Sequence, residues 1–174
     1  AVRLLDVDNQ YWATSQYEQL TVLIESSRRD SDQLGRARAL ADRGGVENLL
    51  KAIERVESIP ENSPLFATAR RTLVELWEEF WVLGLDALDD GDGDTALEVA
   101  RNLPPGLEYQ SKAQDLRELA LAVTRAQDGG IADLEAAIIQ VQALPSSRPL
   151  YEKAQRLSRY WQLEVQDVQR LQLA

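Results

Sequence analysis

The sequence predicts an all-α protein, a stack of antiparallel helical hairpins, on three observations. Apolar residues recur at three- and four-residue spacing, and no segment alternates strictly with period two. Helix formers (Ala, Leu, Glu, Gln and Arg) dominate the chain, while β-branched runs are short and scattered. A stretch of the sequence also repeats itself at the spacing of a helix pair.

The repeat is legible residue by residue. Aligned without a gap, Gly44–Pro60 overlays Gly129–Pro145, so that Val46 meets Ile131 and Leu49 meets Leu134. Ala52 meets Ala137, Ile53 meets Ile138, Val56 meets Val141, and Ile59 meets Leu144. The match runs on through Pro64-Leu65-Phe66 and Pro149-Leu150-Tyr151 to Ala69 and Ala154. A shorter middle copy spans Gly93 to Pro104, and its second half, from Tyr109 through Lys112-Ala113, parallels Tyr151 through Lys153-Ala154. The closing prolines, Pro60, Pro104 and Pro145, are 44 and 41 residues apart. A period near 40 belongs to arrays of helix pairs.

Each unit begins at a Gly-containing turn and enters a short helix whose apolar positions fall at i, i+3, i+6, i+7 and i+10, one helical face. Proline ends that helix because it lacks the N–H and clashes with the preceding turn. A longer helix follows, with Ser63-Pro64 reading as a cap and first position. These signals predict helices over 10–26, 31–43, 46–58, 64–90, 94–102, 107–127, 131–143 and 149–171. The polar stretch from Ser26 to Ser31 favours a break between the first two, with one continuous helix over 10–43, interrupted only by Gly35, as the alternative. The corresponding units are 1–43, 44–92, 93–128 and 129–174, one helical-repeat domain. The absence of an initiator Met predicts a piece of a longer protein, or a processed one.

Composition narrows the functions. Lacking both His and Cys, the chain has no imidazole or thiolate chemistry and no such metal ligands. No nucleophile elbow or phosphate-binding glycine loop is present, so the expectation is a protein that is not an enzyme and carries no cofactor. The net charge of −10 disfavours nucleic acid and anionic membrane surfaces as partners. No apolar run approaches the ~20 residues needed to cross a bilayer, and the start, Ala1 to Asp8, lacks the layout of a signal peptide. A soluble domain is expected, with the cytoplasm as the default compartment.

The grammar of short helix, proline and longer helix, with small residues at Ala52, Ala69, Ala96, Ala113, Ala137 and Ala154, resembles tetratricopeptide-like helical repeat proteins over about residues 44 to 174. The unit is longer than that family's, and its Trp…Leu-Gly…Tyr signature is absent. The resemblance implies a right-handed α-solenoid of seven or eight helices, with a concave surface that takes a protein or peptide segment.

Between Arg71 and Arg101 stand nine acids and no base: Glu75, Glu78, Glu79, Asp86, Asp89, Asp90, Asp92, Asp94 and Glu98. Glu75, Glu78, Glu79, Asp86 and Asp89 of this belt, with Lys112 and Lys153 at equivalent repeat positions, are the candidate partner-binding residues, and the acidic belt suits a basic partner. The two lysines read first as the solvated ends of packed stems, with contact to an acidic partner segment as the alternative. Asp90, Asp92 and Asp94 alternate as in a calcium loop, but Thr95 and Arg101 stand where that loop needs Gly and a closing Glu. The loop reads first as a turn, with Asp94 capping the next helix. Trp77, Phe80 and Trp81 fall on one side of their helix and read as core, with an aromatic groove as the alternative. Phe66, Tyr109 and Tyr151 recur near the start of the long helices, as packing would require. The apolar last helix, with Tyr160, Trp161, Leu163, Val165, Val168 and Leu171, needs a cover, which suggests self-association through the terminal helices. The expected function is therefore a protein-interaction scaffold, with a structural spacer or self-association segment as the alternative.

Overall fold

The computed structural model describes residues 2–127 and 130–172, with the side chains of 2–13, 15, 107, 108 and 172 outside the description. The Trp12 side chain and residues 128 and 129, where a turn is expected, therefore lie outside the description. The described residues are all-helical and contain seven helices: α1 (Val2–Ala41), α2 (Val46–Glu57), α3 (Phe66–Asp89), α4 (Gly93–Asn102), α5 (Leu107–Gln127), α6 (Ile131–Gln142) and α7 (Tyr151–Gln172). They fall into two compact units, Ala1–Leu76 and Trp77–Ala174.

In the first unit α1 packs on α2. The face read from the sequence is the buried one: Val46, Leu49, Ala52, Ile53 and Val56 all point inward. Ile59, the residue before Pro60, is buried as well. The turn into α2 requires Gly44 at φ 67°, a left-handed conformation that costs a side-chain-bearing residue about 1–2 kcal/mol.

One expectation fails here. No break occurs over Ser26–Ser31, and α1 continues through it to Ala41. The polarity that suggested a turn belongs to an inward-facing polar patch. Asp30 is buried and its Oδ2 accepts a hydrogen bond from Ser63 Oγ at 2.5 Å. Ser26 and Ser27 are half-buried, and Ser26 Oγ donates back to the Leu23 carbonyl, which leaves the helix intact.

In the second unit α4 packs on α5, α5 on α6 and α6 on α7. The C-terminal half of α3 joins them at Gly84, where a Cβ would lie 2.8 Å from both Val99 Cγ1 and Leu116 Cδ2. The core centres on Phe80, Leu88, Val99, Leu116, Leu119 and Val141. Phe80 is fully buried, whereas Trp77, set edge-on to it, and Trp81 are half-buried. α3 ends in a Schellman turn: Gly91 is left-handed at φ 80°, and Asp92 N donates back to the Ala87 carbonyl at 2.7 Å.

The internal repeat extends to the hydrogen bonds of the loops. Ser63 N donates to Pro60 O, Phe66 N to Ser63 O and Ala69 N to Leu65 O. In the second copy, 85 residues on, Arg148 N donates to Pro145 O, Tyr151 N to Arg148 O and Ala154 N to Leu150 O. The long helix therefore starts at Phe66, two residues later than the Ser63-Pro64 cap implied. Ser63 Oγ instead accepts from Leu65 N inside the turn. Five of the six small residues singled out from the sequence are buried, and Ala113 is half-buried.

Candidate functional site

Charge is divided unevenly between the two units. The first carries twelve acidic and ten basic side chains; the second carries seventeen and nine, so −8 of the net −10 belongs to it. All nine acids of the belt are exposed: Glu75 on α3 in the first unit, and Glu78, Glu79, Asp86, Asp89, Asp90, Asp92, Asp94 and Glu98 in the second.

Two of the nine have internal work. Asp92 caps α4: its Oδ1 accepts from Thr95 N at 2.9 Å and its Oδ2 from Thr95 Oγ1 at 2.7 Å. The backbone N–H and then the hydroxyl of Thr95 hold the Asp92 carboxyl below the usual carboxylate range. The cap is thus Asp92, two residues before the expected Asp94, because the Schellman turn at Gly91 starts α4 that much earlier. With Asp92 so used, Asp90, Asp92 and Asp94 do not gather as ligands. Among the described residues no three acidic side chains are placed to hold a metal ion.

The second is Asp89. Lys153 of α7 is buried, at 7% exposure, and its Nζ donates to Asp89 Oδ2 at 2.6 Å and to the Leu85 carbonyl at 2.8 Å. The expected solvated lysine on a partner-facing surface is corrected to an internal tie between α7 and α3. The physical reason lies in α3, whose last turn holds Asp86 and Asp89 and no base of its own. Acids are unfavourable at the negative end of a helix, and Lys153 supplies the missing cation from another helix. Its repeat counterpart Lys112 behaves differently: it is half-buried, with its ammonium over the rings of Tyr109 (5.3 Å) and Trp81 (5.7 Å).

Asp89 also lines a groove of about 580 Å³ between the C-terminal parts of α3 and α5 and the middle of α7. Leu88, Val123 and Trp161 close its floor. Leu157 is half-buried beside them, and Tyr160, 65% exposed, stands at the wall. Asp90 and Glu164 are exposed at its margin, together with Arg156. At the end formed by the α3–α4 turn, the Gln127 side chain donates to the Gly91 carbonyl.

The sequence pointed to Asp90 as a weak cation ligand and to Tyr160 and Trp161 as apolar residues in need of cover, but not to a groove. Its walls come from three helices separated by dozens of residues. The one available signal was the i, i+4 pair Tyr160 and Glu164, an aromatic and an acid on one face of α7.

No protein-family model matches this chain, and neither a curated protein nor a solved structure shows significant similarity to it. Among the described residues no helix is long and apolar enough to cross a membrane.

Proposed function

We propose that this protein is a non-catalytic interaction scaffold of the tetratricopeptide-like kind, whose acidic helical surface takes a basic protein or peptide partner. The observation that carries the reading is the concentration of exposed acid on the second unit, next to an open groove with an exposed tyrosine. An uneven surface charge steers an oppositely charged partner, and such steering weakens with salt. The stacking of consecutive helices α4 to α7 is compatible with a helical-repeat surface.

The test is capture on the immobilised chain at low and at high salt, beside a variant with Glu78, Glu79, Asp86 and Asp94 changed to the corresponding amides. A defined protein retained at low salt, released at high salt and lost in the variant supports the scaffold. Retention by neither protein sinks it.

A second reading, a spacer or self-association segment, is favoured by α1. Tyr17, Leu20, Val22, Leu23 and Ile24 are all exposed along its middle. Exposed apolar area of that extent seeks a cover. A sedimentation mass that rises with concentration supports self-association, and a constant monomer mass removes it.

A further inference from the structure

We propose that the groove between α3, α5 and α7 is the docking site for a basic amphipathic helix supplied by a partner protein. This rests on the scaffold reading above and names the site and the chemistry of its occupant.

Three features of the groove select that occupant. The first is shape. The walls come from three long helices, and a groove among helix faces accepts the apolar face of another helix. The second is the chemistry of the wall. Tyr160 stands 65% exposed next to half-buried Leu157, above buried Trp161. A large aromatic beside apolar side chains is the type of residue on which binding energy concentrates.

The third feature is charge. Asp90 lies on the α3 side and Glu164 on the α7 side, so acids flank the apolar strip from two directions. Asp89 is occupied by Lys153 and Arg156 contributes one positive charge. The surroundings still favour cations, since the unit carries −8 and Asp86 and Asp94 are exposed on the adjoining α3 and α4. A helix with apolar residues along one stripe and Lys or Arg beside it meets all of these features. An acidic helix would meet Asp90 and Glu164 as like charges. The groove walls are also pinned before any partner arrives, by Lys153 to α3 at the α7 wall and by Gln127 to Gly91 at the turn. Pre-formed walls lower the ordering cost of binding.

The test uses the whole chain and three fluorescein-labelled peptides of about 18 residues, five helical turns. One is a Leu/Lys peptide with its leucines on a single helical face. The second has the same composition with leucines spread around the helix. The third is the Leu/Glu counterpart of the first. Anisotropy titrations are run against the unaltered chain, Tyr160→Ala, the double variant Asp90→Asn with Glu164→Gln, and the double variant Glu78→Gln with Glu79→Gln outside the groove. Helical circular dichroism checks that each variant is folded.

The one-faced Leu/Lys peptide is expected to bind best. Its Kd should rise about tenfold in Tyr160→Ala and about tenfold in the Asp90/Glu164 variant, and stay within about twofold in the Glu78/Glu79 variant. Equal binding of the scrambled basic peptide, or equal weakening by the Glu78/Glu79 variant, overturns the groove and leaves the acidic scaffold standing. Equal binding of the Leu/Glu peptide overturns the basic occupant. Failure of both basic peptides at low salt overturns the groove and the acidic-surface reading together.

Discussion

Asp115 of α5 is fully buried and holds the guanidinium of Arg148, 33 residues further along the chain, in the loop between α6 and α7. Arg148 Nε donates to Asp115 Oδ1 at 2.6 Å, and the Leu150 backbone N–H donates to Oδ2 at 3.1 Å. One carboxylate thereby fixes the loop and the start of α7 against α5. The first copy of the repeat holds a similar device with an uncharged donor, Asp30 accepting from Ser63, again 33 residues apart.

Removing Arg148 should cost more than removing Asp115. Arg148→Ala leaves a fully buried carboxylate with only the Leu150 N–H donating to it, whereas Asp115→Ala leaves a guanidinium that is 25% exposed and can reach solvent. Expected losses are about 3–5 kcal/mol for Arg148→Ala and about 2–3 kcal/mol for Asp115→Ala. Denaturant midpoints with unchanged slopes measure both, and equal or reversed losses would contradict this account.

Two glycines in mid-helix should respond with opposite signs. Gly84→Ala drives a Cβ against Val99 and Leu116 at a close helix crossing and should destabilise by about 1–2 kcal/mol. Nothing lies within 4 Å of a Cβ at Gly35, so Gly35→Ala in α1 should stabilise by about 0.5–1 kcal/mol. Thermal midpoints of the two variants, read side by side, decide it.

Lys153 stabilises by its buried stem and by its bonds to α3. Lys153→Ala should cost about 1–2 kcal/mol. Lys153→Met, which keeps most of the stem, should cost less. Asp89→Asn should stay below about 1 kcal/mol, because Asp89 is 61% exposed and water replaces the ion pair. A larger loss for Asp89→Asn than for Lys153→Ala, measured by urea unfolding, would mean that the charge pair and not the buried stem dominates.

The α4 cap makes part of the stability pH-dependent. The Asp92 carboxyl is held below its ordinary range by Thr95, so the folded protein binds that proton less readily than the unfolded chain. The contribution is therefore complete above about pH 4 and declines as pH falls through the depressed folded value. Asp92→Asn, which still caps, should lower the stability difference between pH 5 and pH 3. Asp92→Ala should lose about 1 kcal/mol at pH 7. Unfolding curves at these pH values check both, and an unaltered acid slope in Asp92→Asn would remove Asp92 from the acid response.

Helix type and the buried faces of the short helices follow from local pattern. In α2 each residue at the apolar positions, from Val46 through Val56, is buried, and Ile59, Leu103 and Leu144, each placed before a proline, are buried too. A 3.6-residue period leaves one face for the core whatever the neighbours are, so this much needs no partner element. Gly44, Gly45 and Gly91 are equally local, since a left-handed backbone selects glycine at once.

The polar interior was decided by tertiary structure. Ser26 to Asp30 reads as a turn because polar residues belong in water, yet Asp30 is buried and the helix runs on, since Ser63 arrives to satisfy its carboxylate. Lys112 and Lys153 occupy equivalent sequence positions and have unlike fates, one over two rings and the other bonded to the end of α3. The groove, too, needs α3, α5 and α7 in one place. What the sequence determined by itself was the helical class, the repeat and the acidic character of the second unit, because periodicity and charge are properties of the chain. Which polar groups are buried, which acids remain free and where an open groove forms depended on partners distant in sequence, and only the packed structure supplies those.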